Sequence, residues 1–250
     1  MSTRLDGRVA LVTGGSRGLG EAVADKLGEN GATVAVNYVA NVDRAQAVVE
    51  HIRGRGGTAV AFQADIRDEQ QINQMVADIE HNLGAIDILV PNATGPQPFI
   101  GIEEMTWQDC MDQLEFFVKS PLLLAKAVVP GMKKRKYGRI VNIGSEVFDK
   151  GVPRFANYVS AKGAQLGLTR SWAMELASSQ ITVNQVSPGW IPTDRHADDA
   201  QEKKDAYAAS VPLGHMGKPM DVGEAVAFFA SDAAKFITGQ NLSVNGGNSW

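Results

Sequence analysis

The sequence holds one cysteine, Cys110, in 250 residues. No intrachain disulfide can form, which fits a reducing compartment. Cys110 has no histidine paired with it by motif, so it reads as a helix filler and not as a nucleophile. Histidine is scarce as well. His51, His81, His196 and His215 show no metal-ligand spacing, and no metal site is expected. Charge of one sign is also missing, because 24 Lys and Arg stand against 28 Asp and Glu for a net charge of −4. The sole basic cluster, Lys133, Lys134, Arg135 and Lys136, reads as a solvated helix end, where cations meet the negative end of the helix dipole. A nucleic-acid partner would want a wider basic face. No apolar run reaches membrane-spanning length. Residues 1–8 carry charges and run straight into a strand, unlike a signal peptide. A cytoplasmic chain with neither nucleic-acid nor membrane partners is expected.

What the sequence does have is alternation. Apolar, β-prone runs at 8–13, 33–37, 58–63, 87–90, 138–143, 181–186 and 241–244 are separated by helical patterns at 18–30, 42–53, 69–82, 107–132, 156–177 and 222–230. Strands apolar on both faces, alternating with helices, predict a parallel sheet covered on each side. Right-handed crossovers then give a doubly wound α/β fold of Rossmann type, with a seven-stranded, mostly parallel sheet. No linker or repeat divides the chain, so residues 1–250 read as one dinucleotide-binding domain. Residues 188–219 are polar and proline-punctuated, and read as a lid beside the site.

Between the first strand and first helix lies Thr13-Gly14-Gly15-Ser16-Arg17-Gly18-Leu19-Gly20. Glycines let the backbone turn and approach phosphates, and a helix N-terminus offers unpaired N–H donors. The spacing is T-G-x-x-x-G-x-G, one residue more open than G-x-G-x-x-G, and its strand-to-helix context marks a dinucleotide site. An acidic residue at the end of the second strand would hold a ribose 2′-OH and repel a 2′-phosphate. Here Asn37 and Tyr38 are neutral, and Arg17 offers a cation, so NADP(H) is favoured with NAD(H) as the alternative.

Tyr158-Val159-Ser160-Ala161-Lys162 puts a phenol and an ammonium four apart, on one helix face. An adjacent ammonium is expected to lower the phenol's pKa and fit it for acid–base work. In order along the chain stand the glycine turn, Asp65, Asn92-Ala93, Ser145, Y-x-x-x-K and Pro188-Gly189. As a set they resemble the short-chain dehydrogenase/reductase family, closest to its β-ketoacyl-carrier-protein-reductase-like members. The resemblance covers essentially the whole chain. It implies an oxidoreductase moving hydride between the nicotinamide and a ketone or secondary alcohol. By resemblance, Ser145 would hydrogen-bond the substrate oxygen. Tyr158 would be general acid or base, and Lys162 would bind the nicotinamide ribose. Gly14, Ser16, Gly18, Leu19 and Gly20 would hold the cofactor at the turn. Asp65 and Ile66 would meet adenine, Asn92 and Ala93 the ribose, and Pro188, Gly189, Ile191 and Thr193 the nicotinamide end. Read locally, Asp65 could instead cap the helix that follows it.

The chain departs from that family's pattern. Phe117 stands where an Asn usually completes a catalytic tetrad, and its carbonyl, which the family uses to hold a relay water, depends on a kink. Pro91-Asn92-Ala93-Thr94 replaces Asn-Asn-Ala-Gly. Phe117, Phe148, Phe155 and Trp190 are expected to border the substrate, with residues 96–99 and the lid around His196 as a further wall. Glu146 could touch a polar substrate, though water is its expected neighbour. Redox-silent alternatives are a halohydrin-dehalogenase-like enzyme on the same fold and a cofactor-binding sensor. The last strand and residues 236–240 resemble the assembly edge of family tetramers, so a homotetramer is expected.

Overall fold

The computed structural model describes residues 3–250, so Met1 and Ser2 of the charged 1–8 segment lie outside the described residues. Seven strands form the sheet: β1 (Val9–Val12), β2 (Thr33–Tyr38), β3 (Thr58–Gln63), β4 (Ile88–Val90), β5 (Gly138–Ile143), β6 (Ile181–Pro188) and β7 (Asn241–Val244). Their spatial order is β3-β2-β1-β4-β5-β6-β7, and every neighbouring pair is parallel. The order reverses at β1, which lies between β2 and β4. A crevice opens at such a switch point, beyond the strands' C-terminal ends.

Side chains alternate across a strand, and β1 shows what this does. Ala10 and Val12 face one core with Val34, Val36, Ile88 and Val90. Val9 and Leu11 face the opposite core with Ala35 and Leu89. The first core is closed by α1 (Gly18–Glu29), α2 (Val42–Gly54) and α9 (Pro219–Ala230). The second is closed by α3 (Glu69–Asn82), α5 (Ser120–Arg135) and α7 (Ala156–Leu176). Because both faces are covered, the strands read as continuous apolar runs. The helices carry their own start signals. Asn41 caps α2 through the Arg44 N–H. Asp68 caps α3 by accepting from Gln70 and Gln71. Asp65 is therefore not the cap of α3, and its carboxyl instead accepts from the Arg67 backbone N–H and guanidinium.

The helical pattern over 107–132 is not one helix. It is α4 (Trp107–Leu114), a π turn over Glu115–Lys119, and α5. Pro121 explains the break, since it has no N–H to give to the carbonyl of Phe117 four residues back. The Ser120 hydroxyl donates to the Glu115 carbonyl at 2.7 Å. So the kink persists although the residue at its centre is Phe117. Two short helices went unread in the sequence: α6 (Val147–Lys150), and α8 (Gln201–Ser210) inside the 188–219 segment. No helix is long and apolar enough to cross a membrane among the described residues.

Candidate active site

A cleft of about 1250 Å³ opens at the C-terminal ends of the strands. That exceeds a drug-sized pocket and leaves room for a dinucleotide with a small substrate. The glycine turn forms one end, with Gly14, Ser16, Arg17, Gly18, Leu19 and Gly20 in its wall. Two glycines are dictated by space. A Cβ on Gly20 would sit 2.2 Å from the Gly14 carbonyl oxygen. Gly14 has φ +60°, and a Cβ there would lie 2.9 Å from Ala93 Cα. The turn is held from behind by β4's continuation: Asn92 Nδ2 donates to the Thr13 carbonyl at 2.9 Å, and the Thr13 hydroxyl accepts from the Asn92 and Ala93 N–H groups at 2.9 and 3.1 Å. Pro91 costs the sheet little here, because its carbonyl still accepts from the Ile143 N–H.

Asn37, Tyr38, Asp65, Ile66, Asn92 and Ala93 line the same end. Asn37, however, is buried and committed. Its side chain accepts from the Gly14 N–H at 3.2 Å and donates to the Ala64 carbonyl at 3.0 Å. It thus fixes the turn to β2 and β3, and its amide is not free for a ligand. Arg44 and Arg67, which the sequence reading did not single out, also face this end. Arg67 pairs with Asp65 at 2.6 Å, and its hydrogen bond holds the Asp65 carboxyl below its ordinary pKa. Arg44 pairs with Asp194 of the 188–219 segment at 3.0 Å.

At the other end Ser145, Tyr158 and Lys162 meet, together with Pro188, Gly189, Ile191 and Thr193. Tyr158 and Lys162 are one turn apart on α7, and both are buried. Ser145 follows β5, and its side chain interacts with the Tyr158 phenol, as does Gln97. Lys162 Nζ donates to the Ile143 carbonyl at 2.6 Å and to Gln165 Oε1 at 3.2 Å. It also lies 3.8 Å from the centroid of the Phe117 ring. Gln165 is buried on α7 and carried no recognisable sequence signal.

The electrostatics correct one expectation. Lys162 was expected to make the phenol acidic. Instead burial pushes Tyr158 up to about 12, against the smaller pulls of Ser145, Arg195 and Gln97. Lys162 is itself held well below its ordinary value by burial first and by Arg195 second. A buried ammonium turned toward a backbone carbonyl does little for a neighbouring phenol when desolvation opposes both charges. In this state the phenol is a proton donor at neutral pH.

The aromatic residues sort into wall and periphery. Phe99 stacks on Phe155 at 4.2 Å, Phe155 on Tyr158 at 4.8 Å, and Phe117 meets Tyr158 edge-on at 5.2 Å. Phe117 and Phe155 therefore line the cleft, with Trp190 on the lid side. Phe148 does not. It lies on α6, is 41% exposed, and leans on α7 at Gly163, where no side chain obstructs it. Glu146 does not point to water either. It is buried, and accepts from the Tyr207 hydroxyl at 2.6 Å and from Asn245 and Asn248 at 3.3 Å. Tyr207 in turn accepts from the Trp190 N–H at 2.8 Å. A buried acid beside Ser145 thus ties the 188–219 segment and the C-terminal segment to the β5 loop.

A family model described as Enoyl-(Acyl carrier protein) reductase matches residues 14–249. The chain belongs to the short-chain dehydrogenase/reductase family. It is 40% identical over 240 residues to the 3-oxoacyl-(acyl-carrier-protein) reductase FabG of Staphylococcus aureus, across 95% of this chain and 96% of that one. It is 41% identical over 245 residues to the reductase of the same name from Vibrio cholerae, across 97% and 98%. A gluconate 5-dehydrogenase from Burkholderia cenocepacia, solved with NADP and tartrate, superposes with TM-score 0.91 at 32% identity, covering 98% of this chain and 96% of that one. Membership of the short-chain dehydrogenase/reductase family makes the chain an oxidoreductase, and the sheet order is the one such a fold requires.

Proposed function

We propose that this chain is an NADP(H)-dependent reductase that converts a ketone to a secondary alcohol, or the reverse, through Ser145, Tyr158 and Lys162. One observation carries the reading: a buried, protonated phenol shares a single cleft with a glycine turn whose cradle a Cβ would fill. The residues fit the cofactor. The N-terminus of α1 and the turn at Ser16, Gly18 and Leu19 would take the diphosphate, Asp65 and Ile66 the adenine, and Asn92, Ala93 and Lys162 the ribose hydroxyls. Arg17, Tyr38 and the neighbouring Arg44 supply the cation and donors that a 2′-phosphate asks for, and no acidic side chain ends β2. The reductases and the NADP-bound dehydrogenase to which the chain is similar support the same cofactor. When bound, the cofactor supplies the hydride.

The chain's own residues do the rest. The Ser145 hydroxyl hydrogen-bonds the carbonyl oxygen. Tyr158 donates its phenolic proton to that oxygen as negative charge develops there. Phe99, Phe155 and Phe117 wall the pocket and exclude water. We also propose a homotetramer in which β7, with Leu242 exposed at the sheet edge, pairs across an interface; light scattering after size exclusion tests it. The activity test is NADPH consumption over a panel of ketones. Tyr158→Phe is expected to lower it by about 100-fold or more, the scale of general-acid catalysis. Undiminished turnover in that variant, halide release from vicinal haloalcohols, or cofactor binding with no turnover of any ketone would each replace this reading.

A further inference from the structure

Arg195 sits in the lid, in a 3-10 turn over Asp194–His196, and lines the cleft at the end that holds Tyr158. The residue is solvent-exposed, yet its guanidinium reaches across the cleft. It lowers the pKa of both Tyr158 and Lys162, and Tyr158 in turn acts on it. Its hydrogen bond goes to a backbone carbonyl, that of Gly95 across the cleft, at 2.8 Å. Among the described residues it has no carboxylate within ion-pair distance.

The acids of the cleft are engaged elsewhere. Asp65 holds Arg67 and Asp194 holds Arg44. Glu146 accepts from Tyr207, Asn245 and Asn248, and Asp199 is the remaining acid, within electrostatic range of His196. The cleft that holds Tyr158 therefore presents a guanidinium with no carboxylate partner among the described residues. A guanidinium fork matches a carboxylate through two parallel N–H donors, and a carboxylate outcompetes a neutral carbonyl for it. Gln97 and Ser145 stand at the same phenol as neutral donors, so the ketone oxygen and an anionic group have separate partners.

Resting on the reductase reading, we propose that Arg195 is the anion-binding arm of the substrate site. The substrate is an oxo acid: its ketone oxygen lies at Ser145 and Tyr158, and its carboxylate takes the guanidinium from the Gly95 carbonyl. The other anion within reach is a cofactor phosphate, since Arg17 is also within electrostatic range of Arg195. Arg17 lies within the glycine turn, at the cofactor end of the cleft, whereas Arg195 spans the cleft to the Gly95 carbonyl.

The test compares 2-, 3- and 4-oxo acids with their methyl esters, on wild type, Arg195→Gln and Arg195→Lys. Wild type is expected to prefer the best acid over its ester. Arg195→Gln is expected to lower kcat/KM for that acid by about 10- to 100-fold, the effect of losing one charge-assisted hydrogen bond, with the ester changed less than about 3-fold. Arg195→Lys recovers part of the loss. Equal losses on acid and ester, or a raised KM for NADPH with both, overturn the proposal, and the second result assigns Arg195 to the cofactor. Calorimetry with malonate, succinate and glutarate on the enzyme–NADP+ complex separates the two readings. Binding that vanishes in Arg195→Gln upholds the anion site even where no ketone is reduced. A wild type that binds none of them and prefers no acid overturns it.

Discussion

The Glu146–Tyr207 contact makes a demand on stability that needs no substrate. Its 2.6 Å O–H···O distance lies in the range of a hydrogen bond to an ionised acceptor. Tyr207→Phe removes that bond, worth about 1.5–3 kcal/mol, and also orphans the half-buried Trp190 N–H, for about 1 kcal/mol more. Roughly 3 kcal/mol in a chain of this length lowers Tm by about 6–12 °C. Glu146→Gln keeps one oxygen for Tyr207 but turns an NH2 toward the Asn245 and Asn248 amides that now donate to it, costing about 1–2 kcal/mol. In a double-mutant cycle the two changes should overlap by about 1–1.5 kcal/mol, the difference between a charge-assisted and a neutral hydrogen bond. Urea denaturation of the four proteins measures it. Additivity within about 0.5 kcal/mol would mean that the lid is not tied to the β5 loop through this carboxyl.

Other consequences follow from the same geometry. Phe117→Leu should cost about 2–3 kcal/mol, summing the contact with the Lys162 ammonium and the edge-on packing on Tyr158, and calorimetric unfolding would reveal a smaller loss if the ring were a mere filler. Gly20→Ala should abolish NADPH binding in a fluorescence titration, because its Cβ has no space beneath the turn. Arg17→Glu should raise KM for NADPH at least about 10-fold while sparing NADH, and parallel losses would contradict the 2′-phosphate assignment. A phenol pushed up to about 12 stays protonated between about pH 6 and about pH 9, so ketone reduction should be flat there. In stability the same shift has a definite sign. The unfolded phenol releases its proton near 10 and the folded one only near 12, so Tyr158 favours folding at lower pH, and that contribution is lost as pH rises through this window. Alkaline melts of Tyr158→Phe should show a shallower decline; an unchanged slope would disprove the burial argument.

Much of this was legible in residue order. The helix at 69–82 matches α3 to the residue, because Ile72, Met75, Val76 and Ile79 carry its buried stripe, although the cap is Asp68 and not Asp65. The inner strands β1, β4, β5 and β6 were legible because each is buried on both faces, whereas the edge strands β3 and β7 are partly exposed. The residues at the cleft were legible where a backbone demand marks them, as with Gly14 and Gly20, or a helical spacing, as with Tyr158 and Lys162. What was not legible depends on side-chain direction. Glu146 looked solvated because its partners, Tyr207, Asn245 and Asn248, are some 61 to 102 residues away. Phe148 looked like a pocket residue because its support, Gly163, is a missing side chain. Arg195 carried no sequence signal, and only the fold brings it to the cleft that holds Tyr158. The direction of the Tyr158 shift failed for a similar reason: spacing on a helix reports proximity, whereas burial decides which charge survives.

The Phe117 substitution shows how such a departure is accommodated. A ring there forbids water on one flank of Lys162 and offers its π face in exchange. An ammonium keeps three donors, and the Ile143 carbonyl and Gln165 Oε1 take two of them. Gln165 is thus the polar group that makes an apolar neighbour at position 117 tolerable; an apolar residue in its place would leave the ammonium with the carbonyl and the ring alone. Pro121 meanwhile preserves the kink that an Asn would otherwise be thought to require. The pair can be tested as a unit: Phe117→Asn with Gln165→Leu should be more stable than the sum of the two single losses, because the new amide restores an acceptor beside Lys162. If the losses merely add, the ring and the amide are independent, and Lys162 is held by the Ile143 carbonyl alone.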